Sequence, residues 1–199
     1  RPPPPLQPMI RGRLVAVNGR PAGPDDYADE GAKRLVDRDF NLSFDVRLPD
    51  GNSVVAGRWH GAATAPEFSV EVGLAETLGL ALGDVLTFDI AGQRSEARIT
   101  SLRKLDWDSM RVNFFVIAAP GMLESYPASY ITSFHLPPGQ MELANRLVAA
   151  FPNLTVIDVA AVIGQIQGMV DQLIAAVQFV FGFAVVAGVV VLFGALQAT

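Results

Sequence analysis

From Phe179 to Leu196 the chain carries about eighteen residues in a row without a charged or polar side chain, and Gln197 is the next polar one. At the α-helical rise such a segment is about 27 Å long, close to the thickness of the hydrocarbon layer of a bilayer. The alternative is a central helix of a soluble core. It would need protein on every side of Phe179, Phe181, Phe183 and Phe193, more than a chain of this length supplies. Gly182, Ala184, Gly188 and Gly194 suit close approach by a neighbouring helix in lipid. A transmembrane helix is expected over residues 179–196.

The residues just before this run have a different pattern. Asp158 is a good helix N-cap, and Val159, Val162, Ile163, Ile166, Met169, Val170, Leu173, Ile174 and Val177 follow at helical spacing. Gly164, Gln165, Gly168, Asp171, Gln172 and Gln178 fall on the opposite face. Residues 158–178 therefore read as an amphipathic stalk helix, half buried against a folded domain and running without a break into the span. No Lys or Arg follows Arg146. Cytoplasmic flanks of membrane spans usually carry such residues, so the domain side reads as extracytoplasmic.

The remainder, residues 9–157, is long enough for one core or two small lobes. With a net charge of −5 and no basic run, nucleic acid is not an expected partner. The chain has no cysteine, so disulfides give no clue to its compartment. Residues 1–8, opening Arg1-Pro2-Pro3-Pro4-Pro5, read as a polyproline linker to another segment of a longer protein.

Along the chain, alternation and turn chemistry predict an α+β domain, mostly antiparallel. Met9 to Asn18 reads as a strand closed by Asn18-Gly19, and Asp25 or Asp26 as the cap of a short surface helix. Strands are expected over 41–48, with Leu42, Phe44, Val46 and Leu48 on one face, and over 53–59, separated by the turn Pro49-Asp50-Gly51-Asn52. A strand over 68–72 leads into a helix over 71–78 that ends at Gly79. Strands over 85–90 and 93–102 flank a tight Ala91-Gly92 connection. Further strands are expected over 113–118, 129–136 and 155–157, and a helix over 138–151.

Chemistry-bearing patterns are sparse. There is neither a G-x-x-x-x-G-K-[ST] loop to cradle phosphates nor a G-x-S-x-G elbow for a nucleophile. His60 and His135 are the two histidines, and each reads as an ordinary surface or hydrogen-bonded residue before it reads as a catalyst. Asp106-Trp107-Asp108 brings two carboxylates to one loop, short of the oxygen count calcium needs. It reads as a solvated bend with Trp107 packed down. Glu71, Asp84 and Asp89 read as turn and strand charges. No catalytic, cofactor-binding or metal-binding residue is therefore expected, and no cofactor.

Two groups of motifs carry a family resemblance. Ser69-Val70-Glu71-Val72-Gly73-Leu74-Ala75, with Leu78-Gly79-Leu80 and Leu82-Gly83-Asp84, resembles the extracytoplasmic domain of FtsX-like ABC-transporter permeases. The stretch Ser101 to Ser109, with Asn113-Phe114-Phe115-Val116, Tyr130-Ile131-Thr132-Ser133-Phe134 and Phe151-Pro152-Asn153-Leu154-Thr155, is similar to the narrower YbbP-type branch. The resemblance runs from Met9 to Leu196. It implies a bacterial inner-membrane permease subunit with its globular domain in the periplasm and a separate cytoplasmic ABC ATPase subunit. It also implies mechanical transmission of ATP-driven motion to a hydrophobic or lipid-like substrate, and a periplasmic thioesterase/lysophospholipase partner. Two rival readings need different surroundings. A membrane receptor's sensor domain would be followed by a signalling segment, and a membrane-anchored hydrolase would need a nucleophile and an acid beside His60 or His135.

Overall fold

The computed structural model describes residues 5–109, 111–137 and 140–197. They form two compact units, one ending at His135 and the other beginning at Leu136. In the first, the order is β1 (Gln7–Val17), β2 (Arg20–Pro21), α1 (Glu30–Val36), β3 (Phe40–Phe44), β4 (Asn52–Gly57), β5 (Glu67–Glu71), α2 (Val72–Leu78), β6 (Val85–Ile90), β7 (Gln93–Leu105), β8 (Val116–Ala118) and β9 (Ser129–Ile131). The second holds α3 (Met141–Ala150) and α4 (Val159–Gln197).

Six strands close on themselves. β1 pairs with β3, β3 with β8, β8 with β5, β5 with β7, β7 with β6, and β6 returns to β1. Closure leaves the ring without free edges. The pairs β3–β8 and β5–β7 are parallel. The other described pairings are antiparallel, as expected. β4 is an added strand on β7, and β2 and β9 are added on β1. The globular residues thus build one barrel rather than two lobes. Strand alternation turns Ile10, Leu14, Leu42, Phe68, Phe88, Ile99 and Val116 into its core. Phe88 packs near-perpendicular to both Phe40 (5.9 Å between centroids, 77°) and Phe68 (5.5 Å, 86°).

Local chemistry sets the connections. Both two-residue hairpins need positive φ at each central residue: Asn18 and Gly19 between β1 and β2, Ala91 and Gly92 between β6 and β7. The Glu71 carboxylate caps α2, accepting from the N–H groups of Gly73 (2.8 Å) and Leu74 (2.6 Å), and Gly79 ends the helix in the left-handed region. Gly57, at φ +75°, closes β4, and a Cβ there would sit 2.2 Å from Thr100 O. Gly57→Ala should therefore cost at least about 1–3 kcal/mol through backbone strain alone. A denaturant melt of the chain in detergent reads this as a lower midpoint; an unchanged midpoint would refute it.

Several expected elements are corrected. β1 already begins at Gln7, inside the stretch read as linker, because Gln7 and Pro8 pair with Ile131 and Tyr130. Asp29, not Asp25 or Asp26, caps α1, accepting from Ala32 N–H (2.8 Å), while Pro24–Asp26 form a separate 3-10 turn. β3 stops at Phe44 because the Asp45 carboxylate folds back onto Arg47 N–H (2.9 Å), leaving Val46 exposed. β7 continues to Leu105, held by its pairing with β4. The strand expected over 129–136 stops at Ile131, where its pairing with β1 runs out. β8 is limited to Val116–Ala118. Residues 155–157 form no strand: they have no ladder partner, and Val156 and Ile157 are exposed. The helix expected over 138–151 is described from Met141 to Ala150; residues 138 and 139 lie outside the described residues.

α4 is one uninterrupted helix of 39 residues, about 58 Å long. Asp158 caps it, its carboxylate accepting from Ala161 N–H at 3.0 Å. Within the unit that α4 shares with α3, Val162, Val170, Leu173 and Val177 are exposed. Spacing alone defines an apolar stripe, but only a neighbour lying along the stripe buries it. Residues Ala161–Val185, with mean hydropathy 1.6, are long and apolar enough to cross a membrane by length and composition.

Candidate functional site

The most concentrated polar chemistry lies inside the barrel wall, on β7. Alternation from Ala97 and Ile99 carries Ser101, Arg103 and Leu105 to the same inward face. Arg103 is 0 % exposed. Its Nε donates to Ser69 Oγ (2.8 Å), and Nη2 donates to the carbonyls of Phe114 (2.9 Å) and Phe115 (3.3 Å). Nη1 donates to the side-chain oxygen of Asn52, and Ser101 Oγ donates to Ser69 Oγ (2.6 Å). The guanidinium thus joins β4, β5, β7 and the segment leading into β8. Burial pulls its pKa down to about 10, and the Glu71 carboxylate acts to raise it, so it stays a cation at neutral pH. Sequence reading missed this network, although the alternation along β7 was a usable signal.

His60 is the second buried titratable group. It lies in loop 58–66 between β4 and β5, is 4 % exposed, and stacks on Trp59 with ring centroids 4.0 Å apart. Nδ1 faces Gly61 O at 3.3 Å. Nε2 of His60, Oε2 of Glu67 and Oγ1 of Thr100 are buried without a hydrogen-bond partner. Arg58 Nη2 donates to Glu67 Oε1 at 2.5 Å. Burial pushes the imidazole below its usual pKa; Gly61 O, Glu67 and Asp45 act to raise it, and Arg103 to lower it. His135 is exposed.

The remaining sequence candidates have structural duties. Glu71 is the cap of α2. Asp84 accepts from Ala81 N–H (2.7 Å) and Asn18 Nδ2 (2.8 Å), and Asp89 accepts from Gly92 N–H (3.0 Å). At 106–108, Asp106 N–H donates to Gly51 O (2.9 Å), which holds the bend. Trp107 is not packed down: it is 55 % exposed, with its ring 5.4 Å from that of Phe115. Among the described residues no three His, Asp or Glu side chains converge as a metal site would require. An open groove of about 630 Å³ runs past Arg11, Arg13, Asp39, Asp89 and Ser129. Its charges are partly self-compensated, Arg13 Nε lying 3.4 Å from Asp39 Oδ1.

The described residues build a barrel and a separate long apolar helix. No family model matches the chain. Over 160 residues, 80 % of its length, it is 39 % identical to a protein of Escherichia coli (strain K12) described as the uncharacterized ABC transporter permease YbbP. The chain is a homologue of that permease. It spans 19 % of the relative's length, so it corresponds to one portion of such a protein. The relationship accounts for the combination of a folded α+β unit with one candidate membrane span.

Proposed function

We infer that this chain is the periplasmic barrel and outgoing helix of a permease subunit of an ABC transporter in a bacterial inner membrane. The observation that carries the reading is α4: 39 helical residues without a break, with no Lys or Arg after Arg146 on the barrel side. Its first part, residues 158–178, serves as a stalk, and 179–196 lie in the bilayer. A helix is stiff along its axis, so displacement at the membrane end is delivered to the barrel end about 30 Å away. The barrel is not catalytic in this reading. ATP is hydrolysed by a separate cytoplasmic subunit, and the motion serves export or extraction of a hydrophobic or lipid-like substrate, or drives a periplasmic esterase partner.

Orientation is the first test. Asp50 lies on an exposed turn, its side chain 87 % exposed and paired with Arg111 at 2.7 Å. Exposed pairs of this kind contribute about 0–1 kcal/mol, so Asp50→Cys leaves the fold intact. In a cysteine-free background, a membrane-impermeant thiol reagent should label this position in intact spheroplasts. Labelling that requires lysis puts the barrel in the cytoplasm and ends the reading.

A further inference from the structure

Loop 58–66, between β4 and β5, is tied to the barrel at three points. Arg58 N–H donates to Thr100 O (2.9 Å), the Arg58 guanidinium donates to Glu67 Oε1 (2.5 Å), and Trp59 Nε1 donates to Val46 O (2.9 Å). Beneath these ties three side-chain atoms are buried without a hydrogen-bond partner: Nε2 of His60, Oε2 of Glu67 and Oγ1 of Thr100. They belong to one neighbourhood. Arg58 touches both Glu67 and Thr100. Glu67 opens β5 opposite Arg98, two residues before Thr100 on β7, and its charge acts on the His60 ring. His60 and Glu67 are 4 % and 6 % exposed, so bulk solvent does not serve the two acceptors.

The chemistry of the three atoms defines what they need. Nδ1 of His60 faces Gly61 O at 3.3 Å, and a carbonyl only accepts, so the ring proton is on Nδ1 and Nε2 is a bare acceptor. Oε2 of Glu67 is an acceptor too, so the two cannot satisfy one another. Neither ring nitrogen lies within 4.0 Å of a Glu67 oxygen, too far for one proton to be shared directly. A metal cation is disfavoured there. Arg58 already sits on Glu67, the charge of Arg103 also acts on the ring, and among the described residues no third His, Asp or Glu converges. A small neutral molecule with two donors fits. We propose that one internal water sits between His60, Glu67 and Thr100, donating to Nε2 and Oε2 and accepting from the Oγ1 hydroxyl. A water that donates to two acceptors through bonds of about 2.8 Å holds them about 4.5 Å apart, beyond direct contact. About three hydrogen bonds is the usual complement of a buried water, and each of the three buried groups is then satisfied. The water joins loop 58–66 to β5 and β7, and lets the loop close under Trp59 without leaving an acceptor unpaired.

The test uses the full chain in detergent at neutral pH, with isotope-labelled histidine. The chain has two histidines, and His135→Gln assigns their signals. Imidazole nitrogen shifts report the tautomer, and cross-relaxation with solvent reports a water that stays beside a ring. His60 should be neutral and protonated at Nδ1, with Nε2 shifted as a hydrogen-bond acceptor. Its ring hydrogens should cross-relax with a long-lived water, and those of the exposed His135 should not. Thr100→Val keeps the shape and removes the hydroxyl. It should weaken the water signal and speed amide exchange over residues 58–66 by about threefold to tenfold, the effect of one lost hydrogen bond. Elemental analysis should find no stoichiometric metal. A proton on Nε2, a ring without a long-lived water, a stoichiometric metal, or a Thr100→Val chain with wild-type signal and exchange would each overturn the water site. The tautomer and the cross-relaxation are read on the unaltered chain, so the outcome does not depend on how Thr100→Val folds.

Discussion

Replacing Arg103 with leucine should destabilise the barrel by about 3–5 kcal/mol, the range for removing one member of a buried charged network. Leucine restores part of the volume but none of the donors. It takes the donor from the Asn52 side-chain oxygen and the Phe114 carbonyl in the core, while Ser69 Oγ keeps its bond from Ser101 and the Phe115 carbonyl its bond from the Glu71 N–H. Each buried group left unsatisfied costs about 1–3 kcal/mol, and relaxation recovers some of the sum. Arg103→Lys should be intermediate. It keeps the charge facing Glu71, but a single ammonium does not reproduce a planar fork that reaches β4, β5 and the approach to β8 at once. Denaturant melts of the three proteins in detergent should rank them Arg, Lys, Leu, with β8 the first strand to lose exchange protection. A leucine variant within about 1 kcal/mol of wild type would mean that the network is dispensable to the fold.

Arg103 also shows where sequence reading reached its limit. Alternation and turn residues located most strands, because period-two burial and positive-φ hairpins are properties of a few adjacent residues. The end of α2 and the cap of α4 were legible for the same reason, since Gly79 and Asp158 act within one helical turn, whereas Glu71, read as a turn or strand charge, is the N-cap of α2. Closure of the barrel was not legible. It depends on β6 returning to β1 and on the parallel pairs β3–β8 and β5–β7, which join residues far apart in the chain. The lengths of strands failed where a partner decided them. β7 is longer than expected because β4 lies beside it, and residues 155–157 form no strand because no described strand pairs with them.

The buried polar groups were obscured by composition. Arginine is usually exposed, so an Arg-Lys pair late in a strand suggests a solvated end rather than a core network. His60 sits in a loop, and its burial comes from Trp59 folding over to Val46 O, a contact no local pattern announces. At α4 the stripe at residues 159–177 reads as half buried, and in the unit that α4 shares with α3 its residues Val162, Val170, Leu173 and Val177 are left uncovered. A periodic stripe reports that a helix has a face to cover, and only the fold reports what covers it.

If α4 transmits force, its continuity should matter more than any one side chain on it. Val170→Pro tests this in the middle of the stalk. The substitution removes a backbone donor and clashes with the preceding turn, costing about 3 kcal/mol or more and kinking the helix. In the reconstituted permease with its ATPase subunit, the variant should still insert, bind the ATPase and hydrolyse ATP, since those steps take place at or beyond the other membrane face. Coupled transport, or stimulation of a periplasmic partner enzyme, should fall at least tenfold, the effect of about 1.4 kcal/mol lost from the coupled step. Gly168→Ala is the matched control. A Cβ at Gly168 meets nothing within 4 Å, so the change only improves helix propensity, by up to about 1 kcal/mol. Activity should persist there. The deciding quantity is coupled activity per ATP hydrolysed in wild type and both variants. An unchanged ratio in Val170→Pro would make α4 an anchor and remove the mechanical reading, whatever the orientation of the barrel.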